Sequence, residues 1–225
     1  MKVLSLNLWF SDYLRKERTL IFINYVLENQ PDIICIQEVI APVLAYIYQT
    51  IKDVYPHIHT SVEEFGYGLA IISKLPIENR QNLQFNETKM NRGILYGKIN
   101  NCIVATTHLE SEFKKVNKFK IQQFNKMTEL LTKYDKVIII GDTNLTKYDE
   151  DNIDIKDFKD VYLTFDNSKE KLYTYDGKEN PILKNKIRSR VDRMFIKGEK
   201  SFKSFELEKN IIMSDHYALV SEVFL

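Results

Sequence analysis

The chain alternates short, continuous apolar runs with longer segments in which apolar residues recur every three or four positions. Runs of this short kind, bounded by polar or turn-forming residues, predict strands buried in a packed sheet. We expect strands over Lys2–Trp9, Asp32–Gln37, Leu69–Ser73, Ile94–Ile99, Cys102–Thr107, Lys136–Ile140, Val191–Ile196 and Leu219–Phe224. Asn100-Asn101, between two of these runs, predicts a tight hairpin turn.

Three longer segments have the apolar periodicity of amphipathic helices. They are Leu14–Glu28, which Pro31 follows, then Pro42–Asp53 and Ser111–Tyr134. The acidic stretch Lys147–Asp160 predicts a surface loop with a helical turn around Asp157–Val161. The chain has no internal repeat, low-complexity tract or linker, so we expect residues 1–225 to form one catalytic domain.

The composition narrows the class of protein. The 225 residues are 44% hydrophobic and 12% aromatic, as in folded globular domains. No run of about 18 apolar residues suggests a membrane span, and the first residues resemble a strand more than a signal peptide. Cys35 and Cys102 are too few for a disulfide framework. We therefore expect an intracellular protein of the nucleus or cytoplasm that is not secreted and does not contact a membrane.

Net charge does not identify a partner, because 32 basic residues against 31 acidic residues give only +1. The position of the polar residues is more informative. Carboxylates, imidazoles and carboxamides follow or precede five of the apolar runs: Asn7, Glu38, His108, Asp142, Asn144, Asp215 and His216. Each alone is more often a cap or turn former, but their joint occurrence at strand ends predicts a functional site.

This set of residues suits phosphoester hydrolysis. Glu38 and Asp215 are hard oxygen ligands of the kind Mg²⁺ prefers, and Mn²⁺ is an expected substitute. Zinc-ligand spacings, a P-loop and a G-x-S-x-G nucleophile motif are all missing from the sequence. A carboxylate to activate water, a metal ion and two imidazoles to balance negative charge meet the needs of that reaction.

In order and spacing, the motifs resemble the endonuclease/exonuclease/phosphatase superfamily over nearly the whole chain. They are Leu6-Asn7, Ile36-Gln37-Glu38-Val39, Thr107-His108-Leu109-Glu110-Ser111, Gly141-Asp142-Thr143-Asn144-Leu145, Arg190-Val191-Asp192-Arg193 and Ser214-Asp215-His216. The resemblance implies an α/β fold, a four-layer α/β/β/α sandwich of two packed mixed β-sheets flanked by helices. The His-Leu-Glu-Ser run and Tyr173-Thr174 resemble the tyrosyl-DNA phosphodiesterase 2 branch, which removes a topoisomerase tyrosine from a DNA 5′-phosphate.

The resemblance implies a role for each motif residue. Glu38 and Asp215 would bind Mg²⁺, with Asn7 beside them. Asp142 would deprotonate the attacking water that Asn144 holds in line. Three residues would contact the phosphate oxygens: His108, Ser111 and His216. Asp192 would orient His216.

Expected substrate contacts lie outside the motifs or beside them. Tyr67, Arg92 and Arg190 would bind the substrate, whereas Lys114, Lys115, Lys118 and Lys120 would form the solvated face of a helix. The expected partner is a DNA 5′ end, single-stranded or with an overhang, that carries a tyrosyl or peptide adduct; RNA is a second candidate. The enzyme would act as a monomer. Thr146 and Tyr175 replace the arginine and tryptophan expected in this branch.

Other functions stay open at this point. The same metal site would serve a general Mg²⁺-dependent nuclease or a phosphotyrosyl-RNA phosphodiesterase. It would also serve an inositol or sphingolipid phosphoesterase. A catalytically silent binding module is a further alternative, although no motif position has been lost.

Overall fold

Two six-stranded sheets make up the centre of the protein, in a computed structural model that describes residues 1–64, 66–111, 118–165, 172–198 and 201–224. The first sheet has the strand order β13-β14-β1-β2-β4-β3. Its strands are β1 (Lys2–Asn7), β2 (Ile33–Ile40), β3 (His57–Thr60), β4 (Tyr67–Ser73), β13 (Ser201–Glu208) and β14 (Ala218–Phe224). β1 and β2 run parallel and the other neighbours antiparallel, so the sheet is mixed.

The second sheet is built in the same way, with the order β5-β6-β7-β8-β12-β9 and one parallel pair, β7 with β8. Its strands are β5 (Glu78–Gln84), β6 (Gly93–Ile99), β7 (Cys102–His108), β8 (Val137–Asp142), β9 (Lys159–Asp160) and β12 (Asp192–Lys197). A separate two-stranded ribbon joins β10 (Tyr175–Asp176) to β11 (Arg188–Ser189). The β6–β7 hairpin turns at Asn100 and Asn101, both with left-handed backbone, as its two-residue turn requires.

Helices cover the outer faces of both sheets. α1 (Arg15–Asn29) and α2 (Ala41–Ile51) bury Phe22, Val26 and Ile47 against the first sheet. α3 (Lys118–Leu131) buries Phe124 and Met127 against the second, and a third apolar cluster fills the space between the sheets. The short α4 (Val161–Phe165) packs beside β12. The four-layer α/β/β/α sandwich is therefore confirmed.

The structure corrects several element boundaries. The helix expected from Ser111 begins at Lys118; Ser111 is not helical, and residues 112–117, including Lys114 and Lys115, lie outside the described residues. Lys118 is exposed as expected, but Lys120 is buried, so its assignment to a solvated face was wrong. The helical turn expected around Asp157–Val161 was wrong, because Lys159–Asp160 form strand β9 and helix α4 begins only at Val161. None of the helices in the described residues is long and apolar enough to span a membrane.

Candidate active site

Polar residues from both sheets converge at one end of the sandwich. Asn7 and Glu38 come from the parallel pair β1 and β2, and Asp215 and His216 precede β14. The second sheet contributes His108, Asp142 and Asp192, which are direct neighbours across β7, β8 and β12. We call these seven residues the acidic cluster: Asn7, Glu38, His108, Asp142, Asp192, Asp215 and His216.

Glu38 reaches the acidic cluster because β2 contains a β-bulge. The register with β4 shifts between Ile36 and Val39, and Glu38 adopts a left-handed backbone with φ 52°. Such a conformation is costly for a residue with a side chain and often marks a functional position. The bulge lets Gln37 donate to Thr106 Oγ1 between the sheets at 2.8 Å, while Glu38 Oε1 accepts a hydrogen bond from Asn7 Nδ2 at 3.2 Å.

Gly141 allows β8 to carry Asp142 into the acidic cluster. Its φ is 154°, and a Cβ atom would lie 2.4 Å from the carbonyl oxygen of Thr107. Asp142 then uses its two oxygens differently. Oδ1 accepts from the backbone N–H of Asn144 at 3.0 Å, and Oδ2 accepts from Asn7 Nδ2 at 2.9 Å. The side chain of Asp142 thus both forms a turn with Asn144 and belongs to the acidic cluster.

His108 faces the carboxylates as a neutral imidazole. Arg92, whose side chain is buried, donates to Nδ1 of His108 over 2.7 Å. Nε2 therefore carries the proton and lies 3.4 Å from Asp142 Oδ2 and 3.6 Å from Glu38 Oε1. Burial, together with the charges of Arg92 and His216, lowers the pKa of His108 well below its ordinary value.

His216 is positively charged by contrast. Its Nδ1 donates to Asp192 Oδ2 at 2.8 Å, and its Nε2 lies 3.9 Å from Asp142 Oδ2. Burial lowers the pKa of His216, but the carboxylates of Asp192, Asp215 and Asp142 outweigh it and raise the pKa well above the ordinary value. Two adjacent imidazoles are therefore held in opposite charge states, one by an arginine and the other by carboxylates.

The carboxylates contain more negative charge than the local cations balance. Burial, followed by the charges of Asp192 and Glu38, raises the pKa of Asp142 to about 7. Burial and the charge of Glu38 also raise the pKa of Asp215. Hard oxygen donors in such an arrangement fit a divalent cation. Asp142, Asp192 and His216 each offer a ligand atom within 4.8 Å of the others. All three belong to the acidic cluster, but the expected ligands Glu38 and Asp215 are not among them.

The expected substrate residues have different surroundings. Tyr67 is half-buried, with its ring stacked on Phe10 at a centroid distance of 4.8 Å and 6.3 Å from the ring of His108. Arg92 lies beneath Tyr67, with its guanidinium 5.5 Å from the ring centroid. Ser111 is half-buried and donates to Met90 Sδ at 3.2 Å. Tyr67, Arg92 and His108 line a groove that continues along Ser61, Asn82, Gln84 and Asn91.

Arg190 is held away from the acidic cluster by other carboxylates. It pairs with Asp160 Oδ2 at 2.8 Å and Glu150 Oε1 at 3.3 Å, and it stacks on Tyr162. Among the described residues, the hydrogen bonds of its guanidinium go to Asp160 and Glu150 and not to the acidic cluster. Its proposed role in substrate binding therefore has no support from its local contacts.

Sequence reasoning missed several residues that support the site. Thr174 Oγ1 accepts the backbone N–H of Asp192 at 3.0 Å, and the ring of Tyr175 meets His216 edge-on at 5.3 Å.

Arg18, on α1, is buried and donates to the carbonyls of Leu8, Trp9, Ser11 and Tyr13. It thereby fixes the loop from which Phe10 N donates to Glu38 Oε2. The Tyr173-Thr174 motif pointed to the contact between Thr174 and Asp192. No motif in the sequence pointed to Arg18.

Comparisons with known proteins agree with this geometry. A model of the Endonuclease/Exonuclease/phosphatase family matches residues 4–216. The chain is 28% identical over 192 residues to tyrosyl-DNA phosphodiesterase 2 of Homo sapiens and 30% identical over 190 residues to that of Bos taurus. Each match covers 78% of this chain and 51% of the relative, so the chain spans about half the length of these curated relatives.

Solved structures with the same fold include two proteins of that name. A truncated Caenorhabditis elegans TDP2 is 25% identical, with a TM-score of 0.85 and coverage of 100% of this chain and 97% of the other. TDP2 of D. rerio complexed with a single-strand DNA product is 20% identical, with a TM-score of 0.87 and coverage of 100% and 99%. The second likeness, at this identity, concerns the fold alone.

Proposed function

Because the chain belongs to the endonuclease/exonuclease/phosphatase family, we propose that it is a Mg²⁺-dependent phosphodiesterase that hydrolyses a 5′-phosphotyrosyl bond to DNA. The observation that carries the proposal is the arrangement around Asp142, where a buried carboxylate lies between a neutral and a charged imidazole. The similarity to tyrosyl-DNA phosphodiesterase 2 supports the choice of substrate.

The acidic cluster would hold the cation through Glu38 and Asp215, with Asn7 beside them. A bound Mg²⁺ supplies Lewis-acid stabilisation of the phosphate, and Mn²⁺ would serve as a substitute. The excess of carboxylates over cations in the acidic cluster supports this use. Mg²⁺ is the proposed cofactor, and Mn²⁺ is the proposed substitute.

Asp142 accepts the proton of the attacking water. Its raised pKa, about 7, brings the carboxylate close to the neutral pH at which a general base is most effective. Asn144 holds the water in line, with a side chain that is itself fixed by donation of Nδ2 to the carbonyl of Leu109 at 3.0 Å. The base and the water are then both oriented by one turn of the chain.

The two histidines contact the phosphate oxygens with different electrostatic effects. His216, as an imidazolium held by Asp192, stabilises the negative charge that grows in the transition state. His108 donates a neutral hydrogen bond through Nε2, and Ser111 adds a hydroxyl donor. A tyrosine phenolate leaves with little need for protonation, so no separate general acid is required.

The groove beyond His108 supports a single-stranded substrate. Tyr67 and Phe10 form an aromatic platform of the kind on which bases stack. The 5′ end of a single strand or overhang, carrying a tyrosyl or peptide adduct, is the substrate we propose, acted on by a monomer with residues 1–225 as one catalytic domain. An intracellular setting, the nucleus or cytoplasm, follows from that substrate.

A substrate panel tests the proposal. The protein is offered a 5′-phosphotyrosyl DNA strand, the matching phosphotyrosyl RNA, a plain DNA strand and an inositol phosphate, each with Mg²⁺ and with EDTA. We expect tyrosine release from the DNA adduct only with the metal, and Asp142→Asn serves as the inactive control. Efficient cleavage of the plain strand or of the inositol phosphate without tyrosine release would contradict the substrate assignment.

A further inference from the structure

Lys120 is a buried lysine on the helix behind the site. Only 2% of the residue is exposed, and its Nζ atom contacts Asp149 and Asn144. It lies 2.8 Å from Asp149 Oδ2 and donates to the carbonyl oxygen of Asn144 at 2.9 Å. Burial of a charged pair is often no more stable than an apolar pair of the same volume, so packing alone does not explain this choice of residues.

Asp149 is the counter-ion of Lys120 and also closes the loop after Asn144. Its Oδ2 atom accepts the backbone N–H and the hydroxyl of Thr146, each at 2.8 Å. Its Oδ1 atom is buried and has no hydrogen-bond partner among the described residues. The pair is therefore incompletely satisfied, which is a poor arrangement for stability but is consistent with a constraint on the position of the loop.

The residue that Lys120 holds has a strained backbone. Asn144 is left-handed, with φ 50°, and its N–H donates to Asp142 Oδ1 at 3.0 Å. Its side chain donates to the carbonyl of Leu109, across the site. The hydrogen bond from Lys120 fixes the backbone carbonyl of Asn144, and with it the plane of the peptide bond to Leu145.

We propose that Lys120 is a positioning residue for the hydrolysis: its Nζ, held by Asp149, locks the turn that aims Asn144 and Asp142 at the attacking water. The inference rests on the roles proposed above for Asn144 and Asp142. It concerns turnover and not substrate affinity, because Lys120 and Asp149 are buried behind the turn. An error of even 1 Å in the position of the reacting groups lowers a rate by as much as about 10²-fold.

Four variants separate positioning from stability. Lys120→Met removes the charge and keeps the stem, and Asp149→Asn removes the partner charge while an amide oxygen can still accept from Thr146. The double variant Lys120→Met/Asp149→Asn removes both charges of the pair, so neither is left without its partner. The matched control is Lys126→Met on the same helix, where the lysine side chain is 70% exposed and pairs loosely with Glu129 at 3.7 Å.

The assay uses bis(p-nitrophenyl) phosphate with Mg²⁺, so that it does not depend on the DNA adduct. We expect kcat to fall on the order of 10- to 100-fold in Lys120→Met and in the double variant, with KM and the metal requirement nearly unchanged. The melting temperature should fall in Lys120→Met and recover in the double variant. Lys126→Met should match the wild type in kcat, KM, metal requirement and melting temperature.

A double-mutant cycle then tests the route through Asn144. If Lys120 acts by holding Asn144, Lys120→Met should change kcat less than about two-fold in an Asn144→Ala background. Multiplicative effects of the two changes would overturn the proposal, as would a double variant Lys120→Met/Asp149→Asn with wild-type kcat. Turnover of bis(p-nitrophenyl) phosphate without tyrosine release would reject the phosphotyrosyl substrate alone and leave this test in force.

Discussion

Two groups of mostly buried charged residues lie side by side in this protein, and they differ in their balance of positive and negative charge. The ion-pair network on one side consists of three cations and three anions: Lys120, Arg190, Arg193, Asp149, Glu150 and Asp160. Each anion has a cation close by, such as Lys120 with Asp149 at 2.8 Å and Arg193 with Glu150 at 2.8 Å. The acidic cluster instead brings four carboxylates to two histidines, of which His108 is neutral.

This difference explains which group is suited to chemistry. Balanced ion pairs fix loops and need no further charge. In the acidic cluster burial and like charges raise the pKa values of Asp142 and Asp215, so its stability depends on a proton or a cation taken from outside. A group that must bind something to become balanced is a good candidate for a metal site and a general base.

The largest effect is expected from neutralising Asp142, the proposed base in the acidic cluster. Asp142→Asn keeps the shape of the side chain but cannot accept a proton from water. We expect kcat to fall on the order of 10²–10⁴-fold. The melting temperature of the metal-free protein should hold or rise, because a buried carboxylate with a raised pKa has been removed. Steady-state kinetics and calorimetry check the two parts, and near-normal turnover would refute the role of Asp142.

The opposite response is expected in the ion-pair network. Arg193→Met removes a buried cation that contacts Glu150, Asp160 and the carbonyl of Leu145. The loss of these charge-assisted hydrogen bonds should lower the free energy of unfolding by about 2 kcal/mol, although Asp160 keeps its pair with Arg190 and Glu150 is exposed. Urea unfolding measures this loss. Lys203→Met, in the exposed pair with Glu222, is the control and should cost far less. An equal loss in both variants would mean that the network is not energetically distinct.

A smaller effect on turnover is expected at Glu38. Glu38→Gln keeps an acceptor for Asn7 but removes a charge from the acidic cluster. The concentration of Mg²⁺ that gives half-maximal activity should rise about 10- to 100-fold, while saturating metal restores much of kcat. Titration of the wild type and of Glu38→Gln with Mg²⁺ measures this change. An unchanged titration curve would contradict the assignment of Glu38 as a ligand.

The pH dependence of metal binding is the smallest expected signal. The folded-state pKa of Asp142 is raised to about 7, so the stability that it contributes is present below about pH 4 and lost as the pH rises through about 7. The raised pKa of Asp215 acts in the same direction. His216, whose pKa is also raised, loses its contribution in the same direction. Mg²⁺ should therefore raise the melting temperature more at about pH 8 than at about pH 5.5. A pH-independent increase would argue against binding at the acidic cluster.

The sequence allowed the core of the fold to be predicted because the central strands are almost entirely apolar. Val137–Asp142 and Cys102–His108 are buried at every position and were predicted to within two residues. The edge strand Glu78–Gln84 is exposed at every position and has no apolar alternation, so no pattern revealed it. Its pairing with β6 is decided by tertiary structure, which sequence periodicity does not report.

Six residues of the acidic cluster could be predicted because polar side chains at strand ends interrupt apolar runs, whereas Asp192 was expected from the family resemblance alone. Their charge states could not, since His108 and His216 differ through Arg92 and Asp192, which are distant in the chain. Lys120 shows the same limitation. On a helical wheel it is one of several lysines, and only the fold brings it to Asp149.

The acidic cluster is divided between two sheets, since Asn7 and Glu38 belong to one and His108 and Asp142 to the other. The two halves are joined across the gap by Asn7 Nδ2 and Asp142 Oδ2, 2.9 Å apart. Apolar side chains such as Cys35, Val104 and Ile138 set the spacing between the sheets. The rate of turnover therefore depends on the spacing between the two sheets. A cavity-forming substitution deep in the sandwich should slow the reaction even where the protein stays folded.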